Sequence, residues 1–404
     1  MKNLIYFIAL YIMLLMGCNK TEEGATSSSV LKLIWKSPLN KNLGLQGFEL
    51  PIIDGNRVYF PNGPNIDCRE LTTGKLLWTK NVAGTTKDYI GTNFPVNSTQ
   101  IVIDDAFSTR GMNKITGEQL WLAPDSGVQR DYGSLSWIDE NFGYRHPTIE
   151  NAKKFIQYDL FSGNTIKEFV LDTGRVNAVI GIPDGLLINT FAFSYDSRND
   201  PIYGFGEIMK FNPYTGQLEF KIRVKPRYVH LDIGSIYLST KSNLFSAPVL
   251  DGEVGFSVFD DGTVIKYRLT DGKVLWKFEL EYSVYRKDYP SANCLILDKE
   301  KNKLFVTGSR DNWYCLNPET GKLIYWKKLS DYDGNSFPSS YDGNRYVFKP
   351  HTFSQNEWYI IDINTGEIIE EFDQPNDSIL SQDIKNGYIA AFGVLNFYVY
   401  QIVK

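Results

Sequence analysis

Thr270-Asp271-Gly272-Lys273-Val274-Leu275-Trp276 is a tight turn that runs into an apolar strand and reaches an aromatic residue four positions after its glycine. The same order stands at Thr72–Trp78 around Gly74 and at Ile115–Trp121 around Gly117. Looser copies are Phe161–Asn164 around Gly163, Tyr214–Phe220 around Gly216, Glu319–Tyr325 around Gly321 and Asn364–Glu367 around Gly366. Successive turn glycines lie 43, 46, 53, 56, 49 and 45 residues apart. The glycine can take a positive φ without a Cβ clash, and the Thr or Asp before it can hydrogen-bond the local backbone. The aromatic begins an outer strand. Laid over a neighbouring sheet, it removes about 150–250 Å² from water.

The flanking sequence supplies the other strands. Val254–Phe259 and Thr263–Leu269 are β-rich runs around Asp260-Asp261-Gly262, a strong hairpin signal. Ile265, Tyr267 and Leu269 alternate with Val264, Lys266 and Arg268, which predicts a strand with one better-buried face. Four short strands repeated at this length describe a β-propeller. After the seventh turn, Asn386–Phe392 and Phe397–Val403 read as two more strands without an outer partner. Leu31–Lys36, which carries Trp35, matches the outer strand of Leu76–Lys80. The expectation is an all-β, eight-bladed β-propeller of four-stranded antiparallel blades over 30–404, its last blade closed by Leu31–Lys36. Closure removes exposed sheet edges.

The N-terminus carries a separate signal. Met1-Lys2-Asn3 precedes an apolar run, Leu4–Met16, of signal-peptide length and too short for a comfortable membrane span. It ends in Leu15-Met16-Gly17-Cys18, similar to the lipobox at which bacterial lipoproteins are cut before a lipidated Cys. The reading is a signal peptide over 1–17, lipidation at Cys18, and a flexible polar tether over 18–29.

Composition narrows the function classes. A net charge of −5 without a basic run argues against a nucleic-acid surface, and 14% aromatic residues suit an all-β chain. Cys68, Cys294 and Cys315 are an odd set among apolar strand residues, and read as small buried hydrophobes. Cys294 and Cys315 fall in the first and third strands of one blade, so a disulfide between them is not expected. His146, His230 and His351 share no metal-ligand spacing. Asp331–Asn335 lacks the full spacing of a calcium loop. No cofactor, metal or catalytic residue is assigned.

Asp-x-x-Thr-Gly-x-x-x-Trp-like repeats resemble those of the pyrroloquinoline-quinone-type propeller superfamily, over nearly the whole chain after residue 30. The resemblance implies one of two branches. The quinone-dependent alcohol and sugar dehydrogenases use a calcium ion, a Trp beneath the quinone, a catalytic Asp and often a disulfide of adjacent cysteines; this chain has no adjacent Cys pair. The non-enzymatic branch includes BamB, a lipoprotein of the outer-membrane β-barrel assembly machinery, and matches the lipobox-plus-propeller design.

In such a ring one face carries the loops between blades and between second and third strands; the Thr-Gly turns lie opposite. The first set is predicted to hold Arg110, Arg130, Arg145, Arg175, Arg198, Arg227, Arg286 and Arg310, eight of thirteen arginines. Tyr132, Trp137, Tyr195, Tyr228 and Tyr289 share those loops. Arg and aromatic residues are enriched at protein interfaces; the plainer account is that exposed Arg collects in loops. The expected role is a monomeric, lipid-anchored outer-membrane scaffold for envelope proteins, a β-barrel assembly complex among them. A glycan-binding surface lipoprotein and a quinone-dependent dehydrogenase are the alternatives. Cys18→Ala is expected to move the chain from the detergent to the aqueous phase in Triton X-114 partitioning; an aqueous wild-type chain would sink the lipobox reading.

Overall fold

The structure, a computed structural model, describes residues 30–40, 51–82, 95–104, 108–124, 137–145, 154–171, 175–195, 201–224, 248–259, 262–280, 292–308, 312–328, 340–341, 346–350, 357–373, 377 and 379–403. Among them are strands and turns and no helix. Six four-stranded antiparallel sheets follow in chain order over 52–81, 137–170, 175–224, 249–279, 292–328 and 340–373. A seventh joins 379–402 to Leu31–Pro38. The segment 100–124 makes a three-stranded sheet. The fold is therefore an all-β propeller, and the expectation of eight four-stranded blades is corrected to seven. In the three-stranded sheet the place of a first strand holds a single bridge, Val96 to Ile101, next to Pro95, which has no N–H for a ladder.

Chain closure follows the expected route. Leu31–Pro38 pairs antiparallel with Asn396–Ile402, from Leu31 opposite Ile402 to Pro38 opposite Asn396. Val403 N donates to Val30 O at 2.7 Å, and Val30 N donates to the Glu370 carboxylate of the preceding blade at 3.1 Å. On the other side Trp35, Phe392, Phe397 and Val399 share one apolar cluster with Ile53, Val58 and Phe60 of the 52–81 blade.

Inner strands are buried on both faces. Val264, Ile265, Lys266 and Tyr267 are all buried, so the single better-buried face expected from their alternation is corrected to burial on both faces. Stacked blades cover both sides of each inner strand, and the polar members escape at their tips: Lys266 Nζ reaches Glu319 at 2.8 Å. Outer strands are more exposed: in Leu76–Asn81 only Trp78 is buried, whereas Leu218–Val224 buries Phe220, Ile222 and Val224.

The repeat's chemistry is visible at each turn. Gly272 N donates to Arg268 O, Gly321 N to Asn317 O and Gly366 N to Asp362 O, at 3.0, 2.8 and 2.7 Å. Asn113, Asp159, Asn212, Asn317 and Asp362 each accept two backbone N–H groups of the turn with one carboxylate or amide oxygen. The Thr before the glycine accepts a third in several copies, for example Glu118 N to Thr116 Oγ1 at 3.2 Å.

Each hairpin between third and fourth strands also carries a β-bulge at the same place, six to five residues before the turn glycine, as at Cys68/Arg69, Cys315/Leu316 and Gly111/Met112. Trp276 and Phe220 lie opposite Lys266 and Lys210, and in three of these hairpins the aromatic of the outer strand lies opposite a small residue: Trp78 opposite Cys68, Trp121 opposite Gly111 and Tyr325 opposite Cys315. This places the free, buried thiols Cys68 and Cys315 beneath rings. Burial pushes them up to about 12 and about 11. Backbone pairing puts Cys294 and Cys315 on strands separated by Lys303–Gly308, as expected.

The aromatic then covers the glycine of the following turn. A Cβ added to Gly74 would lie 2.7 Å from the Trp35 ring; on Gly117, 2.7 Å from Trp78; on Gly163, 2.5 Å from Trp121. Phe220 stands 2.5 Å from such an atom on Gly272, Trp276 2.7 Å from one on Gly321, and Tyr325 2.6 Å from one on Gly366. At Gly321, with φ of +70°, an alanine would meet both backbone strain and the Trp276 ring. Gly252 has φ of +58° and open space around it. Gly252→Ala is expected to cost about 1–2 kcal/mol in urea unfolding, the left-handed backbone term. Gly321→Ala adds about 1–3 kcal/mol of overpacking; equal losses would remove the wedge contact from the account.

Asp383 joins the last blade to the first by accepting Ile53 N at 2.7 Å. Burial raises its carboxyl above the usual range, against the pull of that N–H and of Lys385. A raised carboxyl binds its proton more tightly folded than unfolded, so stability falls as pH rises from the unfolded toward the folded value. Asp383→Asn keeps an acceptor for Ile53 without the charge. It is expected to be more stable than wild type at pH 7, with the gain disappearing under acidic conditions that protonate Asp383; a pH-independent difference in denaturation midpoint would contradict this.

Candidate functional site

A cleft of about 640 Å³ opens between the blades 137–170 and 175–224. Its walls are two hairpin turns, Asp139-Glu140-Asn141 and Pro183 to Gly185, together with Pro213-Tyr214 from the Thr-Gly turn of the second blade. Those elements place it on the Thr-Gly face of the ring. The floor is Tyr144, Gln157 and Leu186, all buried.

Asp139 organises one wall. Its Oδ1 accepts Asn141 N at 2.8 Å and Phe142 N at 2.7 Å, which shapes the hairpin. Its Oδ2 accepts the Tyr144 phenol at 3.1 Å. Burial first, then the Asp139 charge, hold that phenol well above the usual tyrosine range, so it remains a hydrogen-bond donor at any physiological pH. Glu140 is tied to the preceding sheet by Ser98, and Asn97 Nδ2 donates to Asp139 O at 3.2 Å. The wall is thus braced from behind.

The other wall departs from the repeat. Lys167 stands four residues after Gly163, where the aromatic belongs. Its stem covers Gly216, with Cε 3.0 Å from a would-be Cβ, and Nζ donates to Tyr214 O at 2.6 Å. The ammonium sits 5.6 Å from the Phe169 ring centroid. Tyr214 is 85% exposed at the cleft's rim, and Phe161, at the equivalent turn position of the neighbouring blade, is 76% exposed. Sequence reasoning missed this cleft because it looked for what repeats; the signal available was Lys167 in an aromatic's place.

The expected loop residues divide into two groups. Arg110 lies within the strand Ser108–Asn113, Arg145 ends Phe142–Arg145 and Arg175 begins Arg175–Ile182, so these three are corrected from loop to strand. The ladders simply run further than β-propensity indicated. Arg110 Nη2 donates to Ser108 Oγ at 3.1 Å. Arg145 is buried, donates to Thr109 Oγ1 and lies 5.4 Å from the Tyr158 ring centroid, so it braces the interior rather than presenting a surface. Trp137 opens a short strand, and Tyr195 ends the strand Gly185–Tyr195. Arg130, Tyr132, Arg198, Arg227, Tyr228, Arg286, Tyr289 and Arg310 lie outside the described residues, as do the three histidines, Asp331–Asn335 and everything before residue 30, Cys18 included. Among the described residues no group of three or more His, Cys, Asp or Glu is arranged to hold a metal ion.

No protein-family profile matches the chain, and no curated protein matches it in sequence. Solved structures do match in fold. BamB from Moraxella catarrhalis superposes with a TM-score of 0.62 at 14% identity, covering 92% of this chain and 100% of its own. A europium-containing methanol dehydrogenase gives 0.69 at 10% identity over 94% of this chain and 95% of its own. The quinohemoprotein alcohol dehydrogenase of Comamonas testosteroni gives 0.67 at 10% identity, over 94% of this chain and 78% of its own. The propeller is common to BamB and to dehydrogenases, and at these identities the likeness is one of fold.

Proposed function

We propose that the protein is a membrane-anchored propeller scaffold that docks protein partners. The observation that carries this reading is where the repeat residues go. Trp35, Trp78, Trp121, Trp276 and their counterparts are taken up in seams between blades, so the ring is a stiff body whose distinctive side chains lie outside the repeat. A preorganised surface loses little conformational entropy on docking. The loop arginines and tyrosines, Arg130, Tyr132, Arg198, Arg227, Tyr228, Arg286, Tyr289 and Arg310, with Trp137 beside them, supply the planar donors and rigid apolar rings that dominate interface energetics. Lipidation at Cys18 and the tether over 18–29 would hold the body at the outer membrane and raise its effective concentration toward membrane partners. The match to BamB over that protein's whole length supports the outer-membrane-assembly version of this role.

Gentle crosslinking of membranes followed by detergent co-purification tests it. Discrete partners are expected with the wild-type chain, reduced severalfold by Arg227→Glu with Tyr228→Ser. Recovery of the chain alone would overturn the reading. Retention of glycans by the soluble chain would favour the carbohydrate alternative, and dye-linked alcohol oxidation on adding the quinone and Ca²⁺ would favour the dehydrogenase.

A further inference from the structure

We propose that the cleft between the blades 137–170 and 175–224 is a docking seat for an aromatic side chain of a partner polypeptide. The inference deepens the scaffold reading and rests on it for the kind of partner.

The molecule itself shows what such a seam accepts. Among the described residues six seams hold an aromatic ring against the next turn's glycine. In four of them the ring's N–H or O–H donates to the carbonyl three residues before that glycine: Trp35 to Leu71 at 2.8 Å, Trp78 to Lys114 at 3.2 Å, Trp276 to Pro318 at 3.0 Å and Tyr325 to Ile363 at 2.8 Å. In the seam before Gly216 the ring is replaced by the Lys167 stem, and a cleft opens there. Pro213 stands three residues before Gly216, at the acceptor's position, and lines that cleft.

The remaining walls suit the same guest. Leu186 and the Tyr144 ring form a buried floor. Asp139 receives three hydrogen bonds, and a carboxylate offers about four acceptor sites, which leaves room for one further N–H or O–H. Tyr214 at the rim is an exposed ring with no burial to explain it, and Ile166 beside it is half exposed. Exposed apolar groups around a concavity mark interaction sites. The volume of about 640 Å³ exceeds one ring, so the side chain enters with part of its flanking backbone.

The test is a ¹⁹F titration of Ac-Gly-(5-fluoro-Trp)-Gly-NH₂ with the full chain in detergent. Saturable broadening is expected, with no displacement by Ac-Gly-Leu-Gly-NH₂ or cellotetraose. Lys167→Trp, which restores the repeat's own ring, is expected to abolish binding while keeping or raising the melting temperature. Tyr214→Ser, at an exposed position the fold does not need, is expected to weaken binding about tenfold. If Lys167→Trp lowers the melting temperature, Tyr214→Ser alone decides. No saturable binding, undiminished binding in the variants, or displacement by cellotetraose overturns the assignment. Saturation of the cleft by a chain that co-purifies with nothing removes the scaffold reading and leaves the seat; captured partners with no peptide binding do the reverse.

Discussion

A ring lying flat on a glycine of the next blade is the contact on which this structure depends. The glycine must lack a Cβ for two reasons at once: its φ is positive, and the space above it is filled, as Trp276 fills it above Gly321. Neither demand alone would couple neighbouring blades. Together they make each turn a socket and each outer strand a plug. A bulge recurs in every such hairpin, and at Trp78, Trp121 and Tyr325 a small residue, Cys68, Gly111 or Cys315, lies opposite the ring. The free thiols are consequences of packing, buried under aromatics and held protonated.

A device repeated around a ring draws attention to its exceptions. At Lys167 the plug is a flexible stem with a charged tip that must find an acceptor, and it does so at Tyr214 O. A methylene chain cannot fill the space of an indole, and a cleft stands at that seam. At Glu370 the plug is a carboxylate that accepts the N–H of Val30, where the N-terminal strand enters the last blade. One exception opens a concavity; the other helps to join the two ends of the described chain.

The fold was legible because its signals are local. A glycine turn, an Asx or Thr cap and an aromatic four residues on lie within one hairpin, and the spacing of seven copies announces a propeller. The entry of Leu31–Lys36 into the last blade was legible for the same reason, through Trp35 and its resemblance to Leu76–Lys80. The blade count was not, because a strand reduced to the single Val96–Ile101 bridge leaves nothing periodic to read. Nor was the surface: Arg145 has a loop residue's composition and an interior residue's environment.

From residues alone came the architecture, the closing strand and the chemistry of each turn, since hydrogen bonds and φ preferences act over a few residues. Which ring meets which glycine, that both faces of the inner strands are dry, and that a cleft stands on the Thr-Gly face depend on side chains about forty or more residues apart in sequence. Such contacts are set by the way blades stack, and a repeat that reports its own regularity is silent about the seam where a lysine breaks it.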